Sequence, residues 1–361
     1  MNIIFDNIIF SLQEHGGISV VWYELIKRIL IDSDFNTKFI GLENQNVLGL
    51  QLKIPASSEV RNNLSLLPIK IQRYLNPTID GTDGVFHSSY FRIAKNPRLF
   101  NITTVHDFTY EYYFKGLPLI IHHLQKSNSL KHSQKIICVS QNTKEDLLKF
   151  YPQINENKVV VVNNGVSDEY FPILDKKSIN ITDIIPFSLN EFVLYVGDRK
   201  STYKNFKMLI EACKIAKCNL VIVGGGNLSN FEILTLNQSL GLNNYIHLSG
   251  ISNKQLNMLY NCTLFFVYPS LYEGFGIPVI EAQKAGCPVI CSNTSSIPEI
   301  VGTSAFVINK ISSFKIADLL LQSKSQSEFQ IKSIKDGIKN AQRFSWNKCY
   351  VETKKVYFDA Y

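Results

Sequence analysis

The 361-residue chain lacks any apolar run approaching the roughly 18 to 20 residues of a membrane-spanning helix, so an integral membrane protein is not expected. It has no Cys-x-x-Cys pair. Its seven cysteines (Cys138, Cys213, Cys218, Cys262, Cys287, Cys291 and Cys349) are an odd set among mostly apolar or helical neighbours, which argues for reduced structural thiols rather than a disulfide scaffold. No cluster of His, Cys and carboxylates has metal-ligand spacing, and no Gly-x-Ser-x-Gly elbow offers a serine nucleophile. No dense Lys/Arg run interleaves with aromatics, which argues against a nucleic-acid partner. No basic region precedes the first apolar residues, and Asp6 interrupts them, so a secretory signal is not expected and a cytosolic location is. Repeats and low-complexity stretches are missing as well.

What is present is an ordinary globular composition, 45% hydrophobic and 19% charged, in a chain long enough for two domains with separate cores. The net charge of +7 is unevenly placed: 17 basic residues face 16 acidic ones up to Tyr170, and 20 face 14 beyond it. The second half therefore suits an anionic ligand or an acidic membrane surface.

Short apolar strands alternate with helical segments throughout, the pattern of a parallel α/β sheet. Strands are predicted at Asn2–Phe5, Lys38–Leu42, Gly84–His87, Ile102–Val105, Lys135–Val139 and Lys158–Val162, with a helix over Ile18–Ile31 after Gly16-Gly17. Asn163-Asn164-Gly165-Val166 breaks the pattern, and a polar, proline-containing stretch follows to Asn190. A second alternation begins at Phe192–Val196 and continues through helix Asn205–Ala216, strand Asn219–Val223, a helix through Phe231–Leu240, strand Tyr245–Leu248, helix Ser252–Asn261 and strand Thr263–Tyr268. Two doubly wound, Rossmann-like domains facing across a cleft are expected: residues 1–166 and 191–344 joined by a linker 167–190. A last helix, 345–361, carries Trp346, Cys349, Tyr350, Thr353, Val356 and Tyr357 at helical spacing and is expected to pack back on the first domain.

The candidate chemistry gathers where strands end. Glu273-Gly274-Phe275-Gly276-Ile277-Pro278-Val279-Ile280-Glu281 follows the Thr263–Tyr268 strand; Pro278 suits the first turn of a helix, and Gly286 its end. Amides at such a helix start, reached closely past glycine, favour phosphate. Glu273 in the loop can bond sugar hydroxyls, and Glu281 can reach a ribose. Arg199 and Lys204 share the loop after Phe192–Val196 and can neutralise a diphosphate. Gly224-Gly225-Gly226 forms a turn after another strand but fails the dinucleotide fingerprint, since Ser229 stands where its third glycine belongs. Gly16-Gly17 offers backbone contact to phosphate. His106 and Asp107 follow Ile102–Val105, His106 for the transferred sugar or Asp107 as a base. Taken singly, each also reads as a solvated charge, a plain turn or a buried histidine. Asp32-Ser33-Asp34 follows a helix and reads as a solvated turn, not a metal site. The segment Tyr110–Leu124 reads either as a packed helix or as a bilayer contact.

In this order and combination the motifs resemble those of glycosyltransferase family 4, the retaining nucleotide-sugar transferases of GT-B fold. Glu273 through Glu281 matches the family's pair of glutamates with seven residues between them, with Gly274, Gly276 and Pro278 included. Arg199 with Lys204-Asn205, Gly16-Gly17, Val105-His106-Asp107, Asn164-Gly165-Val166 and Phe344-Ser345-Trp346 add to it, while Ser167 replaces the family's frequent Asp. The resemblance implies a donor diphosphate held by Arg199, Lys204, Gly17 and the amides around Phe275-Gly276, with Glu273 on the sugar, Glu281 on the ribose, His106 near the transferred sugar, and Ile251 and Gly225 near the base. It implies no metal or cofactor. The Tyr195-Val196-Gly197-Asp198-Arg199 and Tyr203-Lys204-Asn205-Phe206 wording is similar to bacterial surface-polysaccharide mannosyltransferases and their relatives. That implies transfer of a hexose, mannose first, to a lipid-linked or oligosaccharide acceptor in O-antigen or capsule synthesis, with peripheral contact at the cytoplasmic face of the inner membrane. A GT-B phosphorylase, a sugar-nucleotide epimerase and a non-catalytic nucleotide-sugar-binding protein are the alternatives.

Overall fold

The strands are short runs of β-branched and aromatic residues, and the crossovers between them, most of them helical, bring the next strand back parallel to the last. The computed structural model describes residues 1–41, 44–60, 64, 67–79, 81–322 and 328–361. Among these, twelve strands form two six-stranded parallel sheets, and the chain divides into two compact units, Met1–Gly165 with Trp346–Tyr361, and Val166–Ser345.

In the first unit β1 (Asn2–Asp6), β2 (Asn36–Ile40), β3 (Gly84–Ser88), β4 (Leu99–Val105), β5 (Lys135–Cys138) and β6 (Val159–Val161) lie in the order β2-β1-β3-β4-β5-β6. The predicted strand Lys38–Leu42 begins two residues earlier, at Asn36, and Leu42 lies outside the described residues. In the second unit β7 (Phe192–Val196), β8 (Asn219–Val223), β9 (Tyr245–Leu248), β10 (Phe265–Tyr268), β11 (Val289–Ser292) and β12 (Phe306–Ile308) lie in the order β12-β11-β10-β7-β8-β9. The order reverses between β1 and β3 in one sheet and between β7 and β10 in the other; ligands of doubly wound sheets bind beyond the strands' carboxyl ends at such reversals. The core of the second unit packs β-sheet residues such as Val193, Ile222, Phe265 and Val267 against Leu209, Cys213, Ile316 and Leu320 of flanking helices.

β11 and β12 have no counterpart among the predicted strands. They are four and three residues long, and Pro288 stands directly before β11, so their pattern is too brief to separate from a loop. The segment Tyr110–Leu124 is not one helix. Helix Thr109–Tyr113 stops, the chain turns at Gly116, and helix Leu117–His132 begins with Pro118 in its first turn. The stretch 167–190 clusters with the second unit and carries two short 3-10 turns.

The closing helix Trp346–Ala360 buries Trp346, Cys349, Tyr350, Thr353, Val356 and Tyr357 against the first unit. Tyr357 Oη lies 2.8 Å from His87 Nδ1, and the predicted solvated turn Asp32-Ser33-Asp34 proves to be an anchor for this helix. Asp32 accepts a hydrogen bond from Tyr350 Oη at 2.7 Å, and Lys354 Nζ pairs with both Asp32 and Asp34, at 2.7 and 2.5 Å. All seven cysteines are buried and unpaired with one another. No helix among the described residues is long and apolar enough to cross a membrane.

Candidate active site

At the β7/β10 reversal two loops are stitched together by backbone and amide contacts. After β7, the Asp198 carboxylate accepts from the amides of Lys200 and Ser201, both at 3.1 Å, and from Ser201 Oγ at 2.5 Å, which shapes the loop. Asn205 Nδ2 donates to the Pro269 carbonyl at 2.9 Å, and the Leu271 amide donates to the Tyr203 carbonyl at 2.7 Å. The stitching delivers Lys204 Nζ to 2.6 Å from Glu273 Oε1, over the rings of Tyr203 and Tyr268. Both side chains are mostly buried yet retain some solvent contact.

Glu273 is held from behind. Its amide donates to Ser295 Oγ at 2.8 Å, and Ser296 Oγ donates to the carbonyls of Glu273 and Phe275 at 2.8 and 3.0 Å. Phe275 turns its ring into the core against Phe344, which leaves only its backbone for a ligand. Gly276 caps the helix Ile277–Lys284 with φ 101°, a left-handed backbone that favours glycine, and a Cβ there would meet Ile297 Cδ1 at 3.0 Å. The amides of Phe275, Gly276 and Ile277 thus sit at the positive end of a helix beside an ammonium group. Glu281, on the same helix, accepts from Tyr260 Oη at 3.2 Å; burial pushes its carboxyl up to about 7, against hydrogen bonds from Tyr260 and Tyr170 that lower it.

Of the two cations expected on one diphosphate, Lys204 pairs with Glu273 ahead of this helix start, and Arg199 is bonded to the neighbouring glycine turn. The buried Arg199 side chain turns to the glycine turn: Nη1 donates to the Gly224 carbonyl, Nη2 donates to the Gly226 carbonyl at 2.9 Å and more loosely to those of Gly225 and Asn227, and Nε pairs with Glu232 at 3.0 Å. Gly225 has φ 74°, and a Cβ on it would strike Arg199 Nη1 at 2.7 Å and the Gly197 carbonyl at 2.9 Å. Arg199 therefore holds the turn in shape. Ile251 stands half-buried just past the end of β9, before the capping box of helix Asn253–Cys262.

The remaining candidates belong to the first unit. Gly16 caps and Gly17 opens the helix Gly17–Ile29, and Ser19 Oγ donates to the Gly16 carbonyl at 2.8 Å. His106 follows β4 half-buried, its imidazole pushed down to about 4 by burial against the opposing pull of Asp107, so it is neutral at physiological pH.

Four supports of the site were not among the predicted residues: Ser295, Ser296, Tyr260 and Tyr170. Ser295 and Ser296 follow β11, whose four residues carry too short a strand signal to mark the loop beyond its end. Tyr170 comes from the stretch read as a linker. Its hydroxyl donates to Asn253 at 3.1 Å, and the segment it begins is bonded along helix Asn253–Cys262 through Asn257 and Asn261.

Two doubly wound sheets, with a cation, a carboxylate and a helix start converging at one reversal, define a GT-B protein built for an activated sugar phosphate. The comparisons agree. A model described as glycosyl transferases group 1 matches residues 181–342, and one described as glycosyltransferase family 4 matches residues 57–170. The chain is 25% identical over 291 residues to the O-antigen chain mannosyltransferase B of Escherichia coli, covering 77% of this chain and 75% of that protein. It is 30% identical over 223 residues to the E. coli UDP-Gal:alpha-D-GlcNAc-diphosphoundecaprenol alpha-1,3-galactosyltransferase, covering 60% of this chain and 55% of the relative. The crystal structure of Anabaena HepE in complex with UDP and glucose superposes with a TM-score of 0.72 at 16% identity, covering 98% of both chains. The chain belongs to glycosyltransferase family 4.

Proposed function

We propose that the protein transfers a hexose, with mannose favoured, from a nucleotide diphosphate sugar to a hydroxyl of a lipid-linked or oligosaccharide acceptor, retaining the anomeric configuration, in bacterial surface-polysaccharide synthesis. The observation that carries this reading is the convergence of Lys204, Glu273 and the start of helix Ile277–Lys284 at one sheet reversal. The ammonium group and the helix amides stabilise the charge that builds on the departing diphosphate. When a donor enters, Lys204 exchanges part of its pairing with Glu273 for the phosphate, which frees Glu273 to bond the sugar hydroxyls. Glu281 takes the ribose. Positive charge supplied in this way supports a reaction without a metal ion. Retention on one face needs no protein nucleophile if the leaving phosphate accepts the acceptor's proton. The E. coli relatives, named as a mannosyltransferase and as a galactosyltransferase acting on a diphosphoundecaprenol-linked sugar, support these substrate classes, and a lipid-linked acceptor would put the site of action at the cytoplasmic face of the inner membrane. The test is a thermal-shift screen over GDP-, UDP-, dTDP- and ADP-sugars, followed by transfer to lipid-linked acceptors with and without EDTA. One donor is expected to raise the melting temperature and to support EDTA-resistant transfer with retention. Product with inverted configuration, or a rate abolished by EDTA and restored by a divalent cation, overturns the corresponding part.

A further inference from the structure

A cavity of about 200 Å³ opens in the first unit, beyond the end of β4, lined by Arg73, Tyr74, Tyr110, Leu117, Ile121 and His122 among others. It adjoins the chain that leaves His106-Asp107: the buried Lys126 of helix Leu117–His132 donates to the Asp107 carbonyl at 3.2 Å and to Glu111 at 2.9 Å. Two of its polar side chains are fixed, and each holds one nitrogen without a hydrogen-bond partner. Arg73 Nη2 donates to Tyr90 Oη, and its guanidinium lies 5.0 and 4.9 Å from the ring centroids of Tyr74 and Tyr90; its Nε is buried with no hydrogen-bond partner. His122, only 7% exposed, is stacked on Tyr110 with ring centroids 3.9 Å apart, and its Nδ1 is also buried without a hydrogen-bond partner; Glu111 is too far from it, at 3.9 Å.

Polar atoms held in place yet unbonded cost free energy that a ligand recovers. Burial keeps His122 neutral at physiological pH, with its imidazole pushed down to about 3, so it can present an N–H without a charge. From the cavity rim an apolar row continues along one helix: Leu117 is 67% exposed, Ile120 54% and Leu124 63%. A guanidinium and an imidazole at the head of an exposed hydrocarbon-compatible row match an anionic head group on an apolar chain.

We propose that this pocket binds the phosphate of the lipid-linked acceptor, with phosphate oxygens at Arg73 and His122 and the hydrocarbon chain along Leu117, Ile120 and Leu124. The inference rests on the transferase reading above and gives its acceptor a place on this chain. The test is calorimetric titration of the full chain with geranyl diphosphate, geraniol and inorganic diphosphate. It is run in the Lys204→Ala background, which removes the other cation placed for a diphosphate. Geranyl diphosphate is expected to bind about tenfold or more tightly than either half alone, and Arg73→Gln to remove that advantage. Leu117→Ser/Ile120→Ser, at exposed positions that leave the fold intact, is expected to bring geranyl diphosphate down to the level of inorganic diphosphate. Equal binding of geranyl diphosphate by the Arg73→Gln chain overturns the proposal, as does complete competition by phosphatidylglycerol vesicles, which assigns the pocket to a bilayer head group instead. Nucleotide-sugar titration of the unaltered chain separates the two readings: donor binding without geranyl diphosphate binding sinks the pocket alone, and the reverse sinks the transferase reading and with it the pocket's assignment to an acceptor.

Discussion

Glu281 and Lys204 show how placement changes a residue's chemistry. Burial raises the Glu281 carboxyl from an ordinary 4.5 to about 7, so folding favours its protonated form. Its stabilising contribution is complete below pH 4.5 and is lost as pH rises through about 7. Glu281→Gln, which cannot ionise, is expected to gain thermal stability over the native chain as pH goes from 5 to 8, measured by melting curves across that range. Donor affinity of the native chain should rise over the same interval, because the ionised carboxylate accepts ribose hydroxyls more strongly; a flat profile would show that Glu281 does not touch the nucleotide. Lys204 is the cation at the helix start, so Lys204→Ala is expected to lower kcat by about a hundredfold or more while circular dichroism stays native. The types and order of these residues were legible in the sequence. The different partners of Arg199 and Lys204 were not, because five positions of loop give no hint that one side chain bonds the carbonyls of a glycine turn and the other a carboxylate of the next loop.

Among the elements, the helix Ile277–Lys284 and the segment after Val166 set the site's precision. Gly276→Ala puts a side chain on a left-handed backbone against Ile297, and a loss of about 1–3 kcal/mol is expected in denaturant unfolding. Helix Asn253–Cys262 carries asparagines at every fourth position, which clamp residues 170–173. Asn253 accepts from the Tyr170 hydroxyl, Asn257 from the Phe171 amide at 3.1 Å, and Asn261 from the Ile173 amide at 2.8 Å. Asn257→Ala leaves the Phe171 amide without a partner and is expected to cost about 1–3 kcal/mol. Because the Tyr170 hydroxyl also lies beside the Glu281 carboxyl, the same change should weaken nucleotide binding, read by titration with the cognate nucleoside diphosphate. The polar, proline-bearing composition of 167–190 made this stretch read as a linker. The partners of Glu169, Tyr170, Phe171 and Ile173 on helix Asn253–Cys262 lie 83 to 90 residues further along the chain, where local pattern says nothing about them.

For the whole molecule, the chain's two units depend differently on its ends. The second unit, Val166–Ser345, is continuous, whereas the first is completed by Trp346–Tyr361. Expressed alone, residues 166–345 are expected to fold cooperatively and to bind the donor nucleotide. Removal of residues 346–361 from the full chain should destabilise the first unit alone, since it strips Tyr357 from His87 and Lys354 from Asp32, leaving a buried face open; two-step thermal unfolding in calorimetry is the check. The sequence by itself determined the α/β alternation, the apolar stripe from Trp346 to Tyr357 and the chemical identity of the Glu273–Glu281 stretch, because periodicity and residue type are local properties. Only the tertiary structure decided that Ser295 and Ser296 hold the Glu273 loop, that Arg199 holds the Gly224–Asn227 turn, and that Asp32 anchors the closing helix. Those are contacts between chain segments brought together by sheet order, and burial alone turned Glu281 and His106 from ordinary titrating groups into shifted ones.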